Sequence, residues 1–416
     1  MQLLTKAPKG THDILDCTSW QWLEALLRDT ARLYGYSEIR TPMIEHTELF
    51  ERGAGETTDV VQKEMYTLID KGGRSITMRP EGTAGVCRAM LEHSLLAQGL
   101  PQKVYYIGPN FRYERPQAGR LRQHHQFGVE CFGPAGADAD AELIALADAY
   151  LQRIGIAGVT LEINSIGCPD CRPIYHSILK EYLAQHDLCG LCEDRIQRNP
   201  LRILDCKNPD CQAVAANAPY SADHLCIPCH EHFESLKAHL SALGIAYTLN
   251  KTMVRGFDYY TRTVFEFKVA GSLGAQNTVC GGGRYDGLIE TLGGPPTPAL
   301  GFGSGIERLL LTAQAQGIGT GEKSVPDVCI VNACEDDAVV TVLTHELRGL
   351  GVAAVRDVMG RKVKAQMKQA DKIKARYVVV IGDDEVAADK VQVKDMADGS
   401  AVECALDAAA ICKMVL

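Results

Sequence analysis

The sequence predicts an α+β protein. Its core is an antiparallel β-sheet flanked by helices, interrupted by a cysteine-rich insertion and followed by a small three-layer α/β domain. Three observations lead there. Strand-like segments with short connections succeed one another between residues 65 and 132, which suits antiparallel pairing. Eight of the sixteen cysteines fall within residues 168–229. Beyond a Gly-rich polar stretch at 317–326, short apolar strands alternate with helices, the pattern of a mostly parallel sheet.

The chain has 416 residues, 46% hydrophobic and 23% charged, enough for two or three domains of ordinary soluble composition. No apolar run approaches membrane-spanning length. Residues 1–13 lack the apolar stretch of a signal peptide, so a cytoplasmic protein without membrane partners is expected. The formal charge of −9 argues against a non-specific nucleic-acid binder, although local distribution matters more than the sum. Residues 361–376 run against the total, with seven Lys or Arg and one acid, Asp371.

Residues 20–34 read as an amphipathic helix with Trp22, Leu23, Leu26, Leu27 and Ala31 on one side. Thr18 and Gln21 have capping-box spacing before it. Pro42 favours extended chain at Thr41, so 38–44 reads as a strand. Lys71-Gly72-Gly73 is a turn between strands at 65–70 and 75–79. Further strands are expected at 104–108, 110–115 and 126–132, the last two flanking a polar loop at 116–124. A helix at 140–154 follows. A strand at 159–164 and a helix at 231–243 bound the insertion, taken as 168–229. Strands resume at 264–269 and near Val279, and a glycine-rich turn at 301–305 opens a helix at 306–314. The first domain is thus expected over 1–316, a linker over 317–326, and the α/β domain over 327–416. That domain has strands at 328–331 and 377–381, and helices at 339–350 and 363–374.

Chemistry concentrates in a few segments. Arg112 and Glu114, two apart on an expected strand, would project from one face. A guanidinium suits phosphate through bidentate, charge-assisted bonds, and a carboxylate accepts from an amino group. On their own they would be a surface ion pair. However, Arg79-Pro80-Glu81-Gly82-Thr83 ends another strand with a carboxylate, bare backbone and a hydroxyl, and Gly303-Ser304-Gly305-Ile306-Glu307-Arg308 adds a further cation.

Together these segments resemble the class II aminoacyl-tRNA synthetases. The first helix with the Pro42 strand is similar to their dimer-forming motif 1. Residues 111–114 with the loop and 126–130 resemble motif 2, and 301–311 resembles motif 3. Two long peptides, 254–266 (Val-Arg-Gly-Phe-Asp-Tyr-Tyr-Thr-Arg-Thr-Val-Phe-Glu) and 280–288 (Cys-Gly-Gly-Gly-Arg-Tyr-Asp-Gly-Leu), resemble the signature peptides of histidyl-tRNA synthetases. Lys9-Gly10-Thr11-His12-Asp13 is also similar to that family. The resemblance covers nearly the whole chain.

It implies ATP-dependent ligation of L-histidine to tRNA(His) through a histidyl-adenylate, with AMP and diphosphate released. Two negative reactants must meet, so positioned cations and Mg2+ should dominate catalysis. The implied catalytic residues are Arg112, on the α-phosphate, and Arg255. ATP would also meet Glu114, His124 and Arg308. Histidine would be held by Glu81, Gly82, Thr83 and Gln126 at its amino group, and by Glu130, Tyr259 and Tyr260 at its imidazole. His124 departs from the family, in which that loop position is commonly Phe. In the motif 2 loop, Arg115, Gln117 and Arg120 would approach the tRNA acceptor end. Lys364, Lys368 and Lys372, four apart on one helix face, would meet tRNA phosphates from an anticodon-binding domain; the bland alternative is a solvated face. A homodimer is implied.

The cysteines of the insertion fall in pairs: Cys168/Cys171, Cys189/Cys192, Cys206/Cys211 and Cys226/Cys229. By spacing they could build two four-cysteine Zn2+ sites, or one site with spare cysteines. In the family the insertion commonly folds without metal, so buried, metal-free cysteines remain the alternative. Two other functions stay open at this stage. One is a regulatory subunit of ATP phosphoribosyltransferase built on the same core; the other is a standalone ATP-dependent ligase. The intact signature peptides and the C-terminal domain argue against both.

Overall fold

Period-two alternation along two long strands organises the first half of the protein. In the computed structural model, which describes residues 5–55, 58–270 and 277–416, Gln102–Phe111 pairs antiparallel with Gln123–Phe132 along its full length. Residues 1–4 of the N-terminal stretch lie outside the described residues. One face of this pair carries Tyr105, Phe127 and Val129, which pack with Phe265 and Phe302 into a fully apolar core. The helices Thr18–Leu33, Ala137–Ile154 and Ile306–Ala315 cover it with Leu23, Leu27, Leu146 and Leu309. Each large side chain so buried contributes about 1.5–3 kcal/mol.

The sheet has eight strands in the order Ser37–Glu38, Gln102–Phe111, Gln123–Phe132, Ala299–Gly305, Thr278–Arg284, Thr261–Val269, Val159–Ser165 and Tyr247–Leu249. Pairing is antiparallel except at the two edges. A three-stranded sheet, Ile44–His46, Ser75–Met78 and Tyr66–Ile69, sits beside it in sequence, with the expected turn at Lys71 to Gly73. Residues Met1–Gly321 form one compact unit and Glu322–Leu416 a second. Among the described residues, no helix is long and apolar enough to cross a membrane.

The second unit is a five-stranded sheet in the order Ala354–Arg356, Val328–Asn332, Tyr377–Ile381, Lys390–Asp395 and Ala401–Ala405. The first three strands are parallel and the last two form an antiparallel hairpin. Ala338–Gly349 and Ala408–Val415 pack together beside it, and Val363–Lys372 contacts Val328–Asn332.

Several local expectations need correction. The helix begins at Thr18 with Cys17 as cap residue, so the Thr18–Gln21 capping box does not form. Instead Asp16 Oδ1 accepts both the N–H and the hydroxyl of Thr18. The strand expected at 38–44 divides into two short strands in different sheets, because the chain crosses between sheets at Pro42. The strands expected at 104–108 and 110–115 are one strand ending at Phe111. Pro109 is tolerated inside it because Ser37–Glu38 pairs only with Val104 and Tyr105, so the Pro109 edge needs no donor there. Arg112 and Glu114 therefore leave the strand rather than sharing its face. The glycines at 301–305 are a strand, not a turn.

Candidate active site and thiolate clusters

The second face of the large sheet is nearly bare. Gly108, Gly128, Gly281, Gly283, Gly301, Gly303 and Gly305 share it through the antiparallel registers. Between these glycines rise a few side chains with room to act. Tyr106 stands over Gly128 and Gly82, and a Cβ on either would overlap its ring. Glu130 lies against Gly301 in the same way.

Glu130 is the buried centre of one pocket. It accepts from the Thr83 hydroxyl at 2.7 Å, from Tyr106 at 3.5 Å and from the Tyr285 hydroxyl. Burial pushes its carboxyl up to about 8, against the opposing hydrogen bonds of Tyr285 and Thr83. Tyr259 and Tyr260 close the pocket, their rings 4.7 Å apart and 5.5 and 6.4 Å from Tyr285. Glu81 is buried with its two oxygens on the backbone N–H groups of Thr83 and Ala84, at 2.7 and 2.8 Å. It thereby caps the helix Thr83–Glu92. Gln126 shares the face of Glu130 and accepts from Asn110 at 2.6 Å. This is an aromatic box with one carboxyl at its floor and acceptors along one rim. It offers an imidazole-sized ring both apolar walls and polar partners.

A second group is cationic. Arg112 donates to Pro80 O at 2.8 Å and lies over the Phe257 ring at 5.5 Å. Arg308 donates to Gly119 O and Thr278 O at 2.9 and 2.8 Å. Burial, with repulsion from Arg120 and Arg112, pulls the Arg308 pKa below its ordinary value. Burial first, then Arg112 and Arg308, lower His124 to about 3, so its ring is neutral. Mutually repelling arginines around a neutral ring make a site for a polyanion with a flat aromatic part. Glu114 is buried and ion-paired with Arg120. Arg120 is thus turned inward, whereas Arg115 and Gln117 are exposed at the loop tip. Arg255 pairs with Glu266 at 2.5 Å and faces Tyr260 at 5.6 Å. Burial works against its charge, but Tyr260 and Glu266 more than offset this and raise its pKa. Gly281 leaves room for the guanidinium. In the second unit, Lys364, Lys368 and Lys372 are all exposed, opposite the buried Gln366 and Ala370.

Tyr106, Tyr285 and Glu266 were not picked out from sequence. Tyr285 and Glu266 lie inside the two signature peptides, and Tyr106 is one strand step before Gly108. Only register shows that Tyr106 meets Gly128.

The insertion gathers its cysteines into two groups, Cys168/Cys171/Cys226/Cys229 and Cys189/Cys192/Cys206/Cys211, either of which could hold a metal ion. The chain folds as helices Arg172–Leu183, Gly190–Arg198 and Pro209–Ala216 around them. The bounding helix starts earlier than expected, at Ile227, so Cys226 caps it and Cys229 lies in its first turn. The sulfurs of Cys168 and Cys171 are 3.6 Å apart; those of Cys168 and Cys226, and of Cys171 and Cys229, are 3.8 Å apart. Cys189 and Cys206 sulfurs are 3.9 Å apart. A tetrahedron of Zn–S bonds has edges of about 3.8 Å, whereas a disulfide needs about 2.05 Å. Backbone N–H groups of Cys168, Cys189 and Asn208 point to sulfurs at 3.1–3.5 Å, as is suited to thiolate ligands. Burial raises the Cys168 thiol, but backbone hydrogen bonds at Cys171 and Asp170 outweigh it and bring it to about 7.

The glycine-floored antiparallel sheet, its arginines and its helical surround are those of a class II aminoacyl-tRNA synthetase. Comparison with known proteins narrows this. A family model described as Histidyl-tRNA synthetase matches residues 10–309, and one described as Anticodon binding domain matches 327–410. A histidine–tRNA ligase of Caldanaerobacter subterraneus is 51% identical over 410 residues, covering 97% of this chain and 98% of that one. One from Acetivibrio thermocellus is 50% identical over 411 residues, covering 97% and 98%. The apo crystal structure of Staphylococcus aureus histidyl-tRNA synthetase aligns with a TM-score of 0.84 at 38% identity, covering 99% of this chain and all of that one. The chain belongs to the histidyl-tRNA synthetase family, and it is an enzyme that ligates histidine to tRNA.

Proposed function

We propose that the enzyme charges tRNA(His) in two steps. In the first, an oxygen of the L-histidine carboxylate attacks the α-phosphorus of ATP, supplied as its Mg2+ complex. The α–β phosphoanhydride breaks, leaving histidyl-adenylate and diphosphate. In the second, a terminal ribose hydroxyl of the tRNA attacks the activated carbonyl, loses its proton and displaces AMP. The observation that carries this reading is the pairing of a buried carboxyl in an aromatic box with a cluster of arginines over one glycine floor.

Arg112 and Arg255 are the catalytic residues of this proposal. Their positive charge offsets repulsion between carboxylate and phosphate and stabilises charge that builds on the phosphoryl oxygens. Glu130, Tyr259 and Tyr260 read the imidazole, with Tyr106 and Tyr285 supporting Glu130. Glu81, Gly82, Thr83 and Gln126 hold the α-amino end. His124 stacks on adenine, Arg308 meets the outer phosphates, and Glu114 lies on the adenine side. Arg115 and Gln117, exposed at the loop tip, face the acceptor end, whereas Arg120 is held inward by Glu114. The unit at 327–416 binds the anticodon region, with Lys364, Lys368 and Lys372 on phosphates. The active form is a homodimer; the exposed apolar side chains of Leu33, Met43 and Ile44 in the motif 1 region support an interface there. The enzyme works in the cytoplasm, where thiols stay reduced. Its two tetracysteine groups bind Zn2+, whose role there is structural cross-linking of the insertion.

The test is histidine-dependent ATP–diphosphate exchange followed by charging of tRNA(His). Exchange with charging is the expected result. Exchange without charging would point to a ligase with another acceptor, and no exchange would overturn the reading.

A further inference from the structure

The loop carrying Arg255, Tyr259 and Tyr260 is irregular backbone, and the insertion holds much of it. Arg202 donates to the carbonyls of Arg255 and Gly256 at 3.1 and 2.9 Å. Asn199 Nδ2 donates to Asp258 Oδ1 at 3.0 Å. Arg172, the residue after Cys171, donates to the Tyr260 carbonyl. Three loop carbonyls and one side chain therefore depend on donors that lie outside the catalytic sheet.

Those donors sit between metal-type ligands. Asn199 and Arg202 lie on the stretch from Cys192 to Cys206, which crosses the end of Gly190–Arg198 and the short helix Pro200–Ile203. Cys192 and Cys206 are buried at its two ends. On the same stretch, Arg195 pairs with Asp59 of the catalytic core at 3.1 Å. A small cavity separates the two sides, lined by Arg172, Asn199, Arg202, Arg255 and Asp258. Arg172 Nε, Arg255 Nε and Asn199 Oδ1 are buried there and, among the described residues, lack a hydrogen-bond partner. Val254 packs against the insertion's core across this boundary, and directed hydrogen bonds fix the loop backbone beyond it. Their geometry is only as fixed as the segment that presents them, which is anchored by Ile203 and Leu204 in the insertion's own small core and by the buried Cys192 and Cys206 at its two ends.

We propose that the metal held by Cys189, Cys192, Cys206 and Cys211 positions the histidine site, with Arg202 and Asn199 as the positioning residues that transmit it to the Arg255–Tyr260 loop. This rests on the Zn2+ reading of the tetracysteine groups. Four thiolates on one ion tie the ends of the 192–206 stretch together, so Arg202 meets the loop carbonyls in one geometry. Arg202 touches neither substrate. Its effect is on where Tyr260 and Arg255 stand, and therefore on histidine more than on ATP.

The experiment uses the full-length enzyme purified under reducing conditions. Zinc is counted by mass spectrometry, histidine binding is measured by equilibrium dialysis without ATP, and exchange kinetics are run for both substrates. Two zinc ions per chain are expected in the parent and one in Cys206→Ser. Arg202→Ala should keep both ions and weaken histidine binding roughly tenfold, the loss of two hydrogen bonds, with the KM for ATP within twofold. Arg202→Lys should recover part of the loss. Cys206→Ser should show a similar histidine defect, and adding Arg202→Ala to it should cost little more, because both act through one contact. A parent without zinc overturns the metal reading itself. Zinc-replete Arg202→Ala with unchanged histidine binding overturns the positioning role while leaving the metal reading intact. Fully additive defects in the double variant would also overturn it.

Discussion

Glu130 is the side chain on which the proposed histidine pocket turns, and replacing it with Gln separates charge from shape. Its carboxyl ordinarily titrates at 4.5 and in the folded protein is pushed up to about 8, chiefly by burial. Between those values the unfolded chain has released the proton and the folded chain retains it. Stability therefore falls as pH rises across this window, by about 1.4 kcal/mol per unit, and levels off above about 8. Gln has no such dependence. From pH 5.5 to 7.5 the stability of the parent relative to Glu130→Gln should drop by roughly 2–3 kcal/mol. Urea unfolding followed by tryptophan fluorescence reads this directly, because both tryptophans, Trp20 and Trp22, lie in the first unit. A parent-to-variant difference that stays constant within about 0.5 kcal/mol over this range would refute the buried, proton-retaining carboxyl. The same variant should lose about 100-fold or more in kcat/KM for histidine in exchange, since a buried site made for one ring then leaves polar groups mispaired. Its KM for ATP should stay near that of the parent.

Three other outcomes follow from the geometry. Gly301→Ala would drive a Cβ into Glu130 Oε2, so the KM for histidine should rise about 100-fold; exchange assays that show a normal KM would contradict the contact. His124→Phe should leave the KM for ATP unchanged or lower it, and the parent KM should not change through this ring between pH 6 and 8, because His124 is held neutral down to about pH 3. A large rise in that KM would count against stacking. Lys364→Ala with Lys368→Ala should weaken tRNA binding and reduce its salt slope by roughly two. Exchange should be unaffected; an equal fall in exchange would make these lysines structural.

Much of the site was legible because its chemistry is local. Arg255, Tyr259 and Tyr260 sit in one peptide, and Glu81 to Thr83 in another, so residue type and order were enough to single them out. Arg112 and Glu114 were singled out for the wrong geometric reason. They do not share a strand face, since the strand ends at Phe111 and Glu114 turns to pair with Arg120. Tyr106 and Glu266 were overlooked, because a lone Tyr or Glu on a strand carries no signal until its cross-strand neighbour is known. The glycines at 301–305 read as a turn because glycine is the common turn residue; in the fold they clear space for Glu130.

The two-part organisation, the cysteine-rich insertion and the residue types proposed to meet ATP and histidine were readable from the chain alone, because period, composition and motif order are local properties. Tertiary structure decided which of those residues meet. Register set Tyr106 over Gly128 and Glu130 against Gly301. Burial, which no single segment can create, moved the Glu130 carboxyl toward neutrality. The same holds for the cysteines. Their spacing announced ligand pairs, but only folding sorted Cys168 and Cys171 with Cys226 and Cys229, leaving Cys189, Cys192, Cys206 and Cys211 as a second set. Contacts across tens of residues decide such pairings, and local sequence does not encode them.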